Sequence, residues 1–345
     1  MNSYIGADLH SKSITFSRIN LRGKLLETET VSTSELMVLK YIGSIKGKKS
    51  ITFEEGPMAQ WMVNIIHDKV DKYLVCDPKK NALIYKGNSN DRIDSEKLAE
   101  LLLLNRLKEV VHPVQKRRQE FRELMNTYFK VTKDIRRSKC RLKSLFRMKG
   151  ILCGGSKVYN PEARKDWASK LVEHKVTFNS ANLYWEQIDL LTRQKDILYN
   201  EIKKQKHHFK EIEKFLIIPG VGLITAATFS AIIFDPFRFN KKSQIWTYCC
   251  LGLEENDSGI NPNVSLERKR RDKIIRHLTK SGNRRLKYVL KSSAETACHR
   301  CNDNKYKRKY LKQRLNGLSE SSSILTASRM ISTDLWGIFK YVNKQ

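Results

Sequence analysis

The chain has 345 residues, of which 66 are Lys or Arg and 36 are Asp or Glu, a formal net charge of +30. Apolar residues make up 40% and charged residues 30%, which supplies a packed core and excludes wholesale disorder. A compact chain with that excess of one sign repels itself unless a polyanion compensates it, so nucleic acid is the expected partner, and the charge argues against a small-molecule enzyme without one.

In chain order, YIGADL and SITFSRIN read as strands, LRGK as a turn and KLLETETV as a third strand. A helix is expected from Ser34 to about Ile45, then a β-branched strand from Ser50 to Glu54, a helix after Gly56-Pro57, and a buried strand YLVCD before Pro78. Three strands, a helix, a strand, a helix and a strand make a mixed α/β sheet in ribonuclease-H-like order.

Between Phe121 and Leu145 the pattern changes. Phe121, Leu124, Tyr128, Val131, Ile135, Leu142 and Leu145 recur at three- and four-residue steps, the seam of one long helix whose other faces carry bases including Arg136 and Arg137. The seam returns from Tyr184 to Leu216, interrupted at Lys195 and Gln205. Two such helices form an antiparallel hairpin or an oligomerisation coil, with basic faces for nucleic acid.

Leu216 to Phe234 carries no charge and has the length of a membrane span, yet Pro219, Gly220 and Gly222 break it near its start. A buried core helix from about Leu223 is expected, and no membrane partner. The opening MNSYIGADLHSKS has no basic-then-apolar leader, and seven cysteines are scattered along the chain, which together point to reduced thiols in a cytoplasm. Cys298 and Cys301 form a lone CxxC, read as buried or spectator thiols rather than a zinc site.

Two constellations carry chemistry. Asp8 lies inside the first strand, Glu54 and Glu55 end a later one, and Asp91 and Asp94 open a helix in NDRIDSEKLAELLLL with i, i+3 spacing. Carboxylates crowded from two strands and one helix face call for divalent cations, Mg²⁺ or Mn²⁺, which clamp attacking and leaving oxygens in phosphoryl transfer. Periodicity leaves Glu54 and Glu55 open, since a strand buried on both faces need not alternate. The second constellation is IPGVGLITAATF, where Gly220 and Gly222 open a helix whose N–H groups can approach a phosphate. Downstream, Arg268, Lys269, Arg270, Arg271, Lys280, Arg284 and Arg285 supply a phosphate-binding surface.

The array GADLHSKS, FEEGP, NDRIDSEKLAELL, IPGVGLITAATF, QIWTYCCLGLEENDSG and LTKSGNRRLKYVL resembles, in order and over nearly the whole chain, the DEDD transposases of the insertion sequence 110 and 1111 families. The resemblance implies a RuvC-like domain (1–112), a coiled-coil region (113–214) and a C-terminal helical transposase domain (215–345) with a helix-hairpin-helix-like element. It implies the acid set Asp8, Glu54, Asp91 and Asp94, with Glu54 preferred because Gly-Pro follows it after one residue. It also implies a nucleophilic serine at Ser258, where Asp257 replaces the serine the family often has. The implied activity is recombination of donor and target DNA through a serine–DNA link, guided by a structured bridge RNA, by a homo-oligomer acting at the bacterial nucleoid. Two other classes compete: a RuvC-like nuclease using the four acids and water, and a non-catalytic nucleic-acid scaffold.

Overall fold

In the computed structural model, which describes residues 2–78, 90–255 and 276–344, the chain divides into two units, Met1–Gln119 and Glu120–Gln345. The first unit contains β1 (Asn2–Leu9), β2 (Ser13–Ile19), β3 (Leu25–Ser32), α1 (Glu35–Ser44), β4 (Lys48–Glu54), α2 (Ala59–Ile66), β5 (Lys72–Cys76) and α3 (Asp91–Leu103). Each strand and helix expected up to residue 77 is present and in the expected order. The sheet order is β3-β2-β1-β4-β5, with β1 antiparallel to β2 and parallel to β4.

Local sequence sets these elements. Gly23 takes φ 74° in the β2–β3 turn, a left-handed conformation open to glycine, while the Asn20 side chain accepts from the Arg22 and Lys24 amides. Ser34 caps α1, accepting from the Met37 amide.

Strand alternation then assigns two faces. Ile5, Ala7, Phe16, Ile51 and Phe53 are fully buried with Val38 and Ile42 of α1 and Met62, Val63 and Ile66 of α2, each large side chain contributing ~1.5–3 kcal/mol. The opposite face, with Tyr4, Gly6, Leu74 and Cys76, is covered by Leu98 and Leu102 of α3. Gly6 is where helix and sheet approach most closely. A Cβ there would lie 1.9 Å from the Ser95 carbonyl oxygen and 2.6 Å from the Ala99 nitrogen. Beside it, the buried Ser17 and Ser95 hydroxyls are hydrogen-bonded at 2.8 Å.

The long helices are α4 (Lys116–Arg147), which enters the second unit at Glu120, and α6 (Lys175–Gln205). They run antiparallel: Ser138 donates to Gln187 at 2.9 Å, and Leu142 and Phe146 share a cluster with Ala181, Trp185 and Ile188. Between them, α5 (Arg164–Ser169) is tied to α6 by the bidentate Arg164–Asp189 pair at 2.6 Å. The second seam is not one helix through Leu216. It breaks after Gln205 into a short 3₁₀ turn and α7 (Lys210–Phe215), where Phe209 leaves helical geometry (φ −127°, ψ 89°) and packs against the tilted ring of Phe121, centroids 4.4 Å apart.

The rest of the unit comprises α8 (Leu223–Ile233), α9 (Lys242–Tyr248), the antiparallel pair β6 (Leu253–Glu255) and β7 (Arg276–Leu278), α10 (Arg284–His299), α11 (Lys305–Leu315) and α12 (Glu320–Val342). α8 begins at the expected residue and is buried from Thr225 to Ile233. Its polar groups are satisfied internally: Thr228 donates to the Ile224 carbonyl, Ser230 to Glu211, and Ser293 bonds Thr225. Among the described residues, no helix is long and apolar enough to cross a membrane.

Candidate active site

Asp8 is the penultimate residue of β1, and the pair Ala7↔Phe53 sets Asp8 beside Glu54 across the parallel β1–β4 ladder. Ala7 and Phe53 face the α1–α2 core, so alternation turns Asp8 and Glu54 to the face that Gly6 gives to α3. Connections leave β1 and β4 toward opposite edges of the sheet, and the crevice at the carboxyl ends of such strands is where open α/β sheets bind ligands. α3 delivers its first turn to the same place. Asn90 caps it, accepting from the Ile93 amide, and Asp91 and Asp94 follow. Carboxylates are favoured at that helix end by the dipole.

Geometry brings Asp8 and Asp91 together through a residue that the acid pattern did not include. His10 Nε2 lies 3.1 Å from Asp8 Oδ2 and 3.4 Å from Asp91 Oδ1, and donor atoms of the three lie within 4.8 Å of one another. Burial raises the Asp8 carboxyl above its ordinary value, His10 lowers it, and Asp91 and Asp94 raise it further. Asp94 is thus felt electrostatically at Asp8 without belonging to the three-donor group. The signal for His10 is its place two residues beyond Asp8, on the turn that closes β1 onto β2.

The neighbouring Glu55 is used differently. Its Oε2 lies 2.7 Å from Nε2 of the buried His112, whose Nδ1 is 3.0 Å from Gln60 Oε1. Gln60 donates in turn to Asn64 and to the Pro113 carbonyl. Glu55 therefore faces His112, while Glu54 shares the face of Asp8.

The expected nucleic-acid residues divide. Lys280 and Arg284 are exposed, as are Arg136 and Arg137, the last 3.1 Å from Asp134. Arg285 is half-buried: its guanidinium bonds Asn126 and lies over the Phe129 ring, and burial, with Arg122 nearby, lowers its pKa. Gly220 takes φ 81°, and a Cβ there would meet the Ser293 carbonyl oxygen at 2.3 Å. This glycine lets the loop before α8 pack on α10. Gly222 has open space around it. Ser258, Arg268, Lys269, Arg270 and Arg271 lie outside the described residues. All seven cysteines are free, and burial raises the Cys298 thiol to about 11.

A mixed sheet with Asp8 and Asp91 meeting at its switch point, continued by a basic helical unit, accords with an enzyme that processes nucleic acid. Residues 5–149 match the model of the DEDD transposase domain of the IS110 group, and residues 212–311 match that described as the transposase IS116/IS110/IS902 family. The chain belongs to this family of DEDD transposases, whose partner is DNA. Among curated proteins, no sequence matches the chain. The family implies a divalent metal, and the residues fit one. Hard carboxylate oxygens and an imidazole nitrogen converge, at separations that donors ~2.0–2.5 Å from one cation require, around an Asp8 whose negative charge is opposed by burial and by two more acids.

Proposed function

We propose that the chain cuts and rejoins donor and target DNA by phosphoryl transfer, with Asp8, Glu54, Asp91 and Asp94 as the carboxylate set and Ser258 as the nucleophile. The observation that carries this reading is the convergence of Asp8 and Asp91 from separate elements at the switch point of the sheet. A divalent cation held by these acids supplies Lewis-acid stabilisation of charge on phosphoryl oxygens. Asp8 and Glu54 sit on adjacent strands and α3 carries Asp91 to Asp8, so a site preorganised by sheet and helix needs little reorganisation on binding. The Ser258 oxygen forms a bond to phosphorus as a strand P–O bond breaks, and the serine proton ends on the departing strand oxygen, which leaves as a free hydroxyl. The new ester conserves the phosphodiester, and strands rejoin without a nucleotide cofactor. Lys280, Arg284, Arg136 and Arg137 contact phosphates. A structured bridge RNA occupies part of the basic surface and sets target choice, and a homo-oligomer is the active form.

Asp8→Asn and Asp91→Asn are expected to abolish strand cleavage while leaving nucleic-acid affinity unchanged or higher, and a chelator to do the same to the unaltered protein. Full cleavage in excess chelator overturns the metal-dependent reading. Ser258→Ala is expected to bind DNA yet trap no protein–DNA adduct on a denaturing gel. An adduct that persists, or maps to another residue, removes Ser258 from the mechanism.

A further inference from the structure

The acids account for a cation but not for the imidazole among them. His10 is not a loose surface side chain that happens to lie near Asp8. Its amide donates to the Ser13 carbonyl at 3.0 Å, and its own carbonyl accepts from the Thr33 hydroxyl at 2.8 Å. The turn is thereby tied to the start of β2 and to Thr33 just past β3, and from it Nε2 lies between Asp8 Oδ2 and Asp91 Oδ1. No Lys or Arg is ion-paired with Asp8 or Asp91 within the described residues. The side chain is half-exposed, so the hydrophobic core makes no demand for a histidine here.

Building on the carboxylate reading above, we propose that His10 is itself a ligand of the bound cation, and that this nitrogen biases the site toward a first-row transition dication such as Mn²⁺ over Mg²⁺. The chemistry follows from the donor set. Mg²⁺ takes oxygen ligands, keeps several waters and dehydrates reluctantly. An imidazole nitrogen suits first-row transition dications, Mn²⁺ the least of them, whereas Mg²⁺ keeps to oxygen donors. Coordination uses the Nε2 lone pair, so the ligating ring is the tautomer with its proton on Nδ1. Asp8 and Asp91 supply charge that either ion accepts, while His10 supplies the preference.

Mn²⁺ titrated into the full chain and followed by electron paramagnetic resonance tests this without reference to cleavage. The bound Mn²⁺ is expected to show the ¹⁴N coupling of a directly ligated imidazole. His10→Ala and His10→Gln are both expected to lose that coupling and to weaken Mn²⁺ binding by at least the roughly 10-fold that loss of a group merely supporting a metal ligand costs. Binding of Mg²⁺, read by its competition with Mn²⁺, is expected to change less. His10→Gln separates the two roles open to His10, because its amide can still hydrogen-bond Asp8. Full Mn²⁺ affinity in that variant makes His10 an orienting group and overturns the proposal. Bound Mn²⁺ without ¹⁴N coupling, or with coupling that survives His10→Ala, overturns it while leaving the carboxylate site standing. If Asp8→Asn leaves Mn²⁺ binding of the unaltered His10 protein undiminished, the carboxylate reading fails as well.

Discussion

Gly6 does more for the site than any residue without a side chain would suggest. Its missing Cβ lets α3 sit against β1, with Ser95 and Ala99 backbone atoms occupying the space, and α3 is what brings Asp91 to Asp8. Gly6→Ala is expected to displace that helix, lowering stability by about 1–3 kcal/mol, as overpacking does, and reducing cleavage by more than the stability loss accounts for. Gly337, inside α12 with nothing within 4 Å of its would-be Cβ, is the control. Gly337→Ala is expected to raise stability by about 0.5–1 kcal/mol, because glycine weakens a helix interior, and to leave cleavage unchanged. Thermal melts and a strand-cleavage assay on the two variants check both statements. If Gly6→Ala retains full stability, the close approach of α3 is not what fixes the site.

At the scale of elements, the strands of the first unit and the start of α8 were legible because period-two alternation and a Pro-Gly break leave few alternatives. The carboxylates were legible as a set, since Asp8 is unusual inside a strand and the Asp91–Asp94 pair has i, i+3 spacing on one helix face. The remainder depended on tertiary contacts. Nothing local says that Glu55 faces His112, 57 residues away, or that the second seam bends where Phe209 packs against Phe121. Gly220 looked like a phosphate-approach glycine, and its close neighbour in the structure is α10. The exposed side of α6 carries a pattern the seam analysis passed over: Val176, Leu183, Leu190 and Ile197 recur every seven residues and are all exposed. A heptad stripe of that kind suits a second helix, and self-association of this chain through it accords with the proposed homo-oligomer. Leu190→Glu combined with Ile197→Glu is expected to shift the protein toward monomer in sedimentation or light scattering, with its helical content kept. An unchanged oligomer mass places the self-association elsewhere.

Over the whole molecule, the charge of +30 governs how it meets its partners. Each phosphate neutralised releases counterion, so affinity for RNA or DNA is expected to fall by ~10³–10⁵ between about 50 and 200 mM salt if some six to ten phosphates are contacted. For RNA, shape is expected to matter more than groove sequence. Sequencing the RNA that accompanies the protein purified from its native host tests the guide. One discrete transcript encoded beside its own gene supports it. Random fragments, together with recombination by RNA-free protein, transfer target choice to direct reading of DNA. The order of elements in the first unit also bears on when the acid cluster is assembled. Asp8 and Asp91 are separated by most of that unit, and they meet only after α3 has closed over β1. Synthesis runs from the N-terminus, so a product ending before α3 lacks both the helix that covers Tyr4, Leu74 and Cys76 and one carboxylate of the Asp8–Asp91 pair. On the proposed reading of these acids, premature termination upstream of Asp91 is expected to leave no strand-cleaving activity.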